Sequence, residues 1–181
     1  MYSMCVIGKK KDVEEFIKIA QADYDYGTME FSHDRHFFRV FEAYYNGIED
    51  LGDGLYKVII NGDCAWSVGC CMFRGGYYDD FKKRFPNEFR GTTIPRESKR
   101  LNLSVEVFSE ECGCCFQEHY TVIDGKVIED ECVDWYEYDI SEYETKEEAE
   151  KDYGIKITDE EWNSGEDFIS RGGFDDWNFT I

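Results

Sequence analysis

The residues with the most chemical potential in this chain are its cysteines, its three histidines and an unusual number of carboxylates. Zinc favours pairs of thiolates at C-x₂₋₄-C spacing, because such a loop lets two sulfurs reach one tetrahedral ion. Cys112 and Cys115 meet that spacing once, with Cys114 between them. The other pair, Cys70-Cys71, is adjacent in sequence, and adjacent side chains on a strand face opposite ways. Small buried thiols are therefore the better reading, and no metal site or cofactor is expected. His33 and His36 form an H-x₂-H pair in a polar segment, with no third ligand close by, and read as a solvated loop. His119 stands beside Glu118, a pair suited in principle to general acid/base work. On a strand those two side chains would again diverge, so no catalytic residue is assigned. Gly8-Lys-Lys-Lys-Asp lacks the glycines and the Gly-Lys-Ser/Thr ending of a phosphate loop.

The carboxylates are different in kind. The 181 residues carry a net charge of −20. Residues 1–100 hold 16 acidic and 15 basic groups, whereas residues 101–181 hold 24 and 5, so almost the whole imbalance lies in the second half. Such asymmetry points to an interaction surface. Helix starts attract acids through the macrodipole, which accounts for a few of them. It leaves unexplained a dense run interspersed with Trp135, Tyr136, Tyr138 and Tyr143. The candidate partner-binding residues are Glu137, Asp139, Glu142, Glu144, Glu147, Glu148, Asp159, Glu160 and Glu161. Direct nucleic-acid binding by this half is disfavoured, because phosphate would be repelled. A basic stretch, Lys82-Lys83-Arg84 with Arg90, Arg96, Lys99 and Arg100, is expected to neutralise the acidic half within the molecule.

These groups need a scaffold. Hydrophobic residues at 42% and aromatics at 17% supply a core and argue against disorder. Eight cysteines in this length fall short of a secreted disulfide scaffold, and no apolar leader or membrane-length run is visible, so a cytoplasmic location with reduced thiols is expected. Tyr2–Ile7 reads as a strand, and Asp12–Ala22 as a helix with Val13, Phe16, Ile17 and Ala20 on one stripe. Strands follow at Phe37–Tyr45, Leu55–Asn61 and Ala65–Phe73, with Gly47–Gly54 as a loop. A helix is expected at Tyr77–Phe85, and a helical turn near Pro95. Leu101–Phe108 alternates as a strand with one buried face, and Asp124-Gly125 marks a hairpin between Phe116–Ile123 and Val127–Tyr138. Ser141/Glu144 and Thr158/Glu161 match the capping-box pattern, Gly154 is a helix stop, and the final Phe174–Ile181 is strand-like. This order predicts an α+β fold. Specifically, it predicts a ferredoxin-like two-layer sandwich over residues 1–140, a mainly antiparallel sheet with helices on one face and an extra hairpin. Residues 141–181 would form an acidic helical extension packed on it.

The stretch Leu101–Trp135, above all Val105–Glu111 and Phe116–Tyr120, resembles the YubB-like proteins of plasmids, phages and integrated elements. Tyr2–Ala22 matches them as well. The resemblance implies a ferredoxin-like fold and a mobile-element setting, and it carries over no catalytic residue. Setting and charge together lead to an inhibitory binding protein and not an enzyme, an anti-CRISPR or other anti-defence factor being one form. Its acidic half would mimic nucleic acid against a host nuclease or nucleic-acid-binding protein with a basic groove, a CRISPR effector among them. A housekeeping or plasmid-maintenance binding module is the alternative.

Overall fold

A computed structural model of the protein describes residues 1–25, 27–28, 30–38, 40–65, 67–73 and 91–181. The expected helix at Tyr77–Phe85 and the basic residues Lys82, Lys83, Arg84 and Arg90 lie outside the described residues. The chain opens with β1 (Tyr2–Gly8) and α1 (Lys10–Ala20), followed by a small ribbon of β2 (Tyr24–Asp25) and β3 (Glu30–Phe31). A long hairpin, β4 (Val40–Gly52) and β5 (Leu55–Cys64), leads into one π-helical turn at Gly69–Phe73. Then come α2 (Ile94–Leu101), β6 (Ser104–Glu111), β7 (Phe116–Ile123) and β8 (Lys126–Asp139). The chain finishes with α3 (Lys146–Tyr153), α4 (Asp159–Trp162) and β9 (Phe168–Gly172).

Seven strands form one sheet in the order β4-β5-β1-β6-β7-β8-β9, antiparallel throughout. The sheet curls into a half-barrel, and strand dominates over helix. This corrects the ferredoxin-like two-layer sandwich expected from element order. The physical reason lies in strand length and bulges. β4 runs for 13 residues, through Gly52 and so across most of the segment Gly47–Gly54 expected as a loop, and β8 runs for 14, slightly beyond the expected Val127–Tyr138. Register shifts at Val40/Glu42, Tyr45/Ile48, Asp50/Gly52 and Thr121/Val122 each add twist and bend the sheet.

The main core lies between the concave packing of α1 and α2 and the strands β1, β5, β6 and β7. Val13, Phe16 and Ile17 of α1 meet Met4, Val6, Ile60, Val105 and Val107 there, all buried. α1 thus presents the stripe its spacing predicts. α2 begins with Thr93 as N-cap, its hydroxyl accepting from the Arg96 amide, and Pro95 sits in the first turn. A second, much smaller core joins Ile140, Ala149, Ile157 and Ile169 in the C-terminal extension. That extension is not purely helical: β9 pairs with the end of β8, from Trp135↔Gly172 to Asp139↔Phe168. No helix among the described residues is long and apolar enough to cross a membrane.

Candidate functional site

The nine carboxylates marked by the sequence all lie on the end of β8 or on the extension, and they divide into two groups. Asp139, Asp159 and Glu161 are engaged in holding the fold. Asp139 Oδ1 accepts from the Ser141 hydroxyl at 2.6 Å and from its amide at 2.9 Å, which keeps its carboxyl below the ordinary range. Asp159 pairs with Lys146, which likewise lowers its pKa. Glu161 completes a capping box on α4: the Thr158 amide donates to its carboxylate at 2.7 Å, and the Glu161 amide donates to Thr158 Oγ1 at 3.1 Å. Arg171 adds a bridge at 2.8 Å. The Thr158 amide first, and Arg171 second, pull Glu161 down to about 2.

Glu137, Glu142, Glu144, Glu147, Glu148 and Glu160 form the other group. All six are exposed, and none has an ion-pair partner among the described residues. Glu142, Glu144 and Glu148, with Tyr143, Lys151 and Asp152, line an open recess of about 450 Å³. α3 sets part of this arrangement. Its N-cap is Thr145, whose hydroxyl accepts from the Glu148 amide, so Glu147 and Glu148 fall in the first turn, where the helix dipole favours them. The capping box expected at Ser141/Glu144 does not form, because Ser141 is bound to Asp139 instead.

Of the described residues of the basic stretch expected to neutralise the acidic half, Arg100 is spent elsewhere. Arg100 bonds Glu97 at 2.6 Å and approaches Glu15 at 3.6 Å, both in the N-terminal half. Glu97 is fully buried, and burial alone would push its carboxyl up. Hydrogen bonds from Arg35, Thr92 and Arg100 outweigh that and hold it low. This network ties α2 to the β3–β4 connection.

The histidines separate. His33 Nδ1 accepts from the Arg35 amide at 3.1 Å and its Nε2 faces Glu15 at 3.5 Å. His36 is buried against Phe31, ring centroids 3.4 Å apart, and neither ring nitrogen has a hydrogen-bond partner among the described residues. Burial, with His33 nearby, pushes its pKa down to about 4.

His119 and Glu118 do diverge. Glu118 points into the main core, accepting from Tyr120 OH at 3.0 Å, Ser109 Oγ at 3.1 Å and the Gly69 amide at 3.3 Å. A Cβ on Gly69 would lie 2.4 Å from the Tyr120 oxygen, so the π-helical turn can approach this close only with glycine. His119 points to the other face and finds Glu106 at 3.0 Å and Glu129 at 3.9 Å. The sequence reading missed this grouping. Its signal was strand register: Thr121 lies opposite both Glu106 and Glu129, and His119 is two residues away on the same face.

Residues 174–181 cover that face. Phe174, Trp177 and Phe179 surround Phe108, whose ring stacks on His119 at 4.2 Å. The amides of Thr180 and Ile181 donate to Glu106 Oε2 at 2.6 and 3.1 Å. The segment expected as a final strand is therefore an extended strap, and the strand lies before it at Phe168–Gly172.

The chain matches no protein family, no curated protein and no solved structure.

Proposed function

We propose that this protein is a non-catalytic binding protein whose acidic extension occupies the basic groove of a nucleic-acid-binding partner. The observation that carries this reading is the group of six exposed carboxylates at residues 137, 142, 144, 147, 148 and 160, none with an ion-pair partner among the described residues. Residues 101–181 carry only five basic groups against 24 acids; Arg171 is committed to Glu161 and Lys146 to Asp159, which leaves three lysines against the remaining acids. Like charges held together on a four-residue core oppose folding, and a cationic partner relieves that repulsion. Tyr143, half-buried in the acidic recess, adds an aromatic surface of the kind that interfaces favour. An anti-defence inhibitor, including an anti-CRISPR protein, is the form that the mobile-element resemblance supports, with a nuclease as the partner.

The test is a pull-down from host lysate followed by a competition titration at two salt concentrations. Nucleic acid should compete with this protein for the partner, and added salt should weaken the complex through screening. Exposed pairs are each worth on the order of 0–1 kcal/mol, so single neutralisations should change little. Replacing Glu142, Glu144, Glu147 and Glu148 together by Gln should weaken binding by about fivefold or more, since four such pairs sum to roughly 1–3 kcal/mol. Salt-independent affinity, or a ternary complex with nucleic acid, would rule out mimicry.

A further inference from the structure

From the grouping of Glu106, His119 and Glu129, we infer a binding site for one first-row divalent transition metal ion, independent of the acidic interface above. Three features lead there. First, one donor atom from each residue lies within 4.8 Å of the other two, with His119 Nε2 3.0 Å from Glu106 Oε1 and 3.9 Å from Glu129 Oε2. Metal–nitrogen and metal–oxygen bonds of about 2.0–2.2 Å allow two donors on one ion to stand up to roughly 4.2 Å apart. Both histidine distances fit without backbone movement. The remaining adjustment falls on Glu129, whose side chain is 47% exposed.

Second, the negative charge here lacks a cation. Glu106 is fully buried, and no Lys or Arg pairs with Glu106 or Glu129 among the described residues. Glu131 stands opposite His119 in register and adds a further carboxylate to the same face. Buried carboxylates ordinarily pair or coordinate an ion. A divalent ion would balance both Glu106 and Glu129.

Third, the donors are held from behind. Oε2 of Glu106 is fixed by the Thr180 and Ile181 amides, and Oε1, which faces His119, also accepts from the Thr180 hydroxyl at 3.3 Å. The Thr121 hydroxyl donates to Glu129, and Phe108 stacks on the His119 ring. Such outer contacts orient ligands in metal sites and set their affinity. An imidazole with two carboxylates selects zinc-like or iron-like ions over calcium and magnesium, which take all-oxygen sets. Three protein ligands leave at least one position to solvent.

Cobalt(II) is the probe, because its visible spectrum reports both occupancy and ligand type. The full chain should bind one Co²⁺ saturably, without thiolate-to-cobalt charge-transfer bands, and Zn²⁺ should displace it. Binding should survive Cys112→Ser/Cys114→Ser/Cys115→Ser, and should weaken at least tenfold in Glu129→Gln and in His119→Gln. Glu129→Gln is the variant that spares the fold, since that side chain is largely exposed. No saturable binding, or binding indifferent to Glu129→Gln and His119→Gln, would overturn the site and leave Glu106–His119 a plain hydrogen bond. Loss of binding in the triple serine variant would overturn it equally, by assigning the ion to the cysteines.

Discussion

The body of the molecule and its C-terminal extension are built on one continuous sheet, yet they are stabilised by cores of very different size. The body buries α1 and α2 against β1, β5, β6 and β7, with 22 of the described residues in one cluster. The extension hangs on β8 and β9 with four, Ile140, Ala149, Ile157 and Ile169. Its remaining order comes from polar devices: a capping box at Thr158, an ion pair between Arg171 and Glu161, and a hydrogen bond from Tyr153 to the Asp139 carbonyl at 2.8 Å. Apolar burial carries no titrating group and is not weakened by charge screening, whereas caps and ion pairs respond to pH and to screening. The two regions should therefore fail under different insults.

The largest effect is expected in the body. Phe16 is fully buried in the main core, so Phe16→Asp places an unpaired charge there, at a cost of about 4 kcal/mol or more. The variant should show no cooperative thermal transition in circular dichroism. A folded variant would mean that α1 does not close the core.

A smaller and more local effect separates the two regions. Ile169→Ala removes one of the four apolar residues of the extension, worth about 2 kcal/mol at a site this small and able to collapse. Amide protection should be lost in α3 and β9 while β1, β5 and β6 keep theirs. Uniform loss across the sheet would show that body and extension unfold as one unit.

This difference also explains which parts of the structure could be read from sequence. Where one apolar face decides the element, the reading was close: Tyr2–Ile7 against β1, Phe116–Ile123 against β7, and the α1 stripe. The Thr158 capping box and the Gly154 stop form as expected, because both are local chemistry. Ala65–Phe73 was read as a strand, but a continuous apolar run has no period, and it contains the π-helical turn that Glu118 anchors. Leu101 and Leu103 extended the alternation of β6 backwards, although Leu101 closes α2 and Asn102 turns the chain in the left-handed region. The half-barrel depends on bulges and on pairing along long strands, which are tertiary facts. The acidic surface was visible as composition. The Glu106 cluster was not, since its members lie 13 and 10 residues apart and meet only through register.

Acid should distinguish the regions further. Burial holds His36 neutral in the body, with a pKa of about 4 against an ordinary 6.5. Stability from a depressed histidine is complete above pH 6.5 and falls as pH drops from 6.5 to 4, because the unfolded chain takes up the proton first. Glu161 in the extension is lowered from 4.5 to about 2. Its contribution is complete above pH 4.5 and is lost as pH falls from 4.5 to 2. Melting followed at body and extension probes between pH 7 and 2 should show the two windows in that order. His36→Phe, which keeps a ring against Phe31, should flatten the upper window alone.

The smallest effect expected compares how a helix ends in each region. Both α2 and α3 stop with a residue in the left-handed conformation, its amide returning to a carbonyl four residues back. In the body that residue is Asn102, φ 52°, and in the extension it is Gly154, φ 68°. A side chain at Gly154 would meet nothing within 4 Å, so any penalty for Gly154→Ala is purely backbone strain, about 1 kcal/mol. Asn102→Gly should do the reverse and gain a few tenths of a kcal/mol, since asparagine already tolerates this conformation better than most residues. A cost that the large core would absorb is a substantial part of what four apolar residues supply. Gly154→Ala should therefore raise hydrogen exchange throughout α3 and α4 about fivefold, whereas Asn102→Gly should leave exchange in α1 and β6 nearly unchanged. Equal responses at the two sites would place the extension on the same stability footing as the body and remove the contrast.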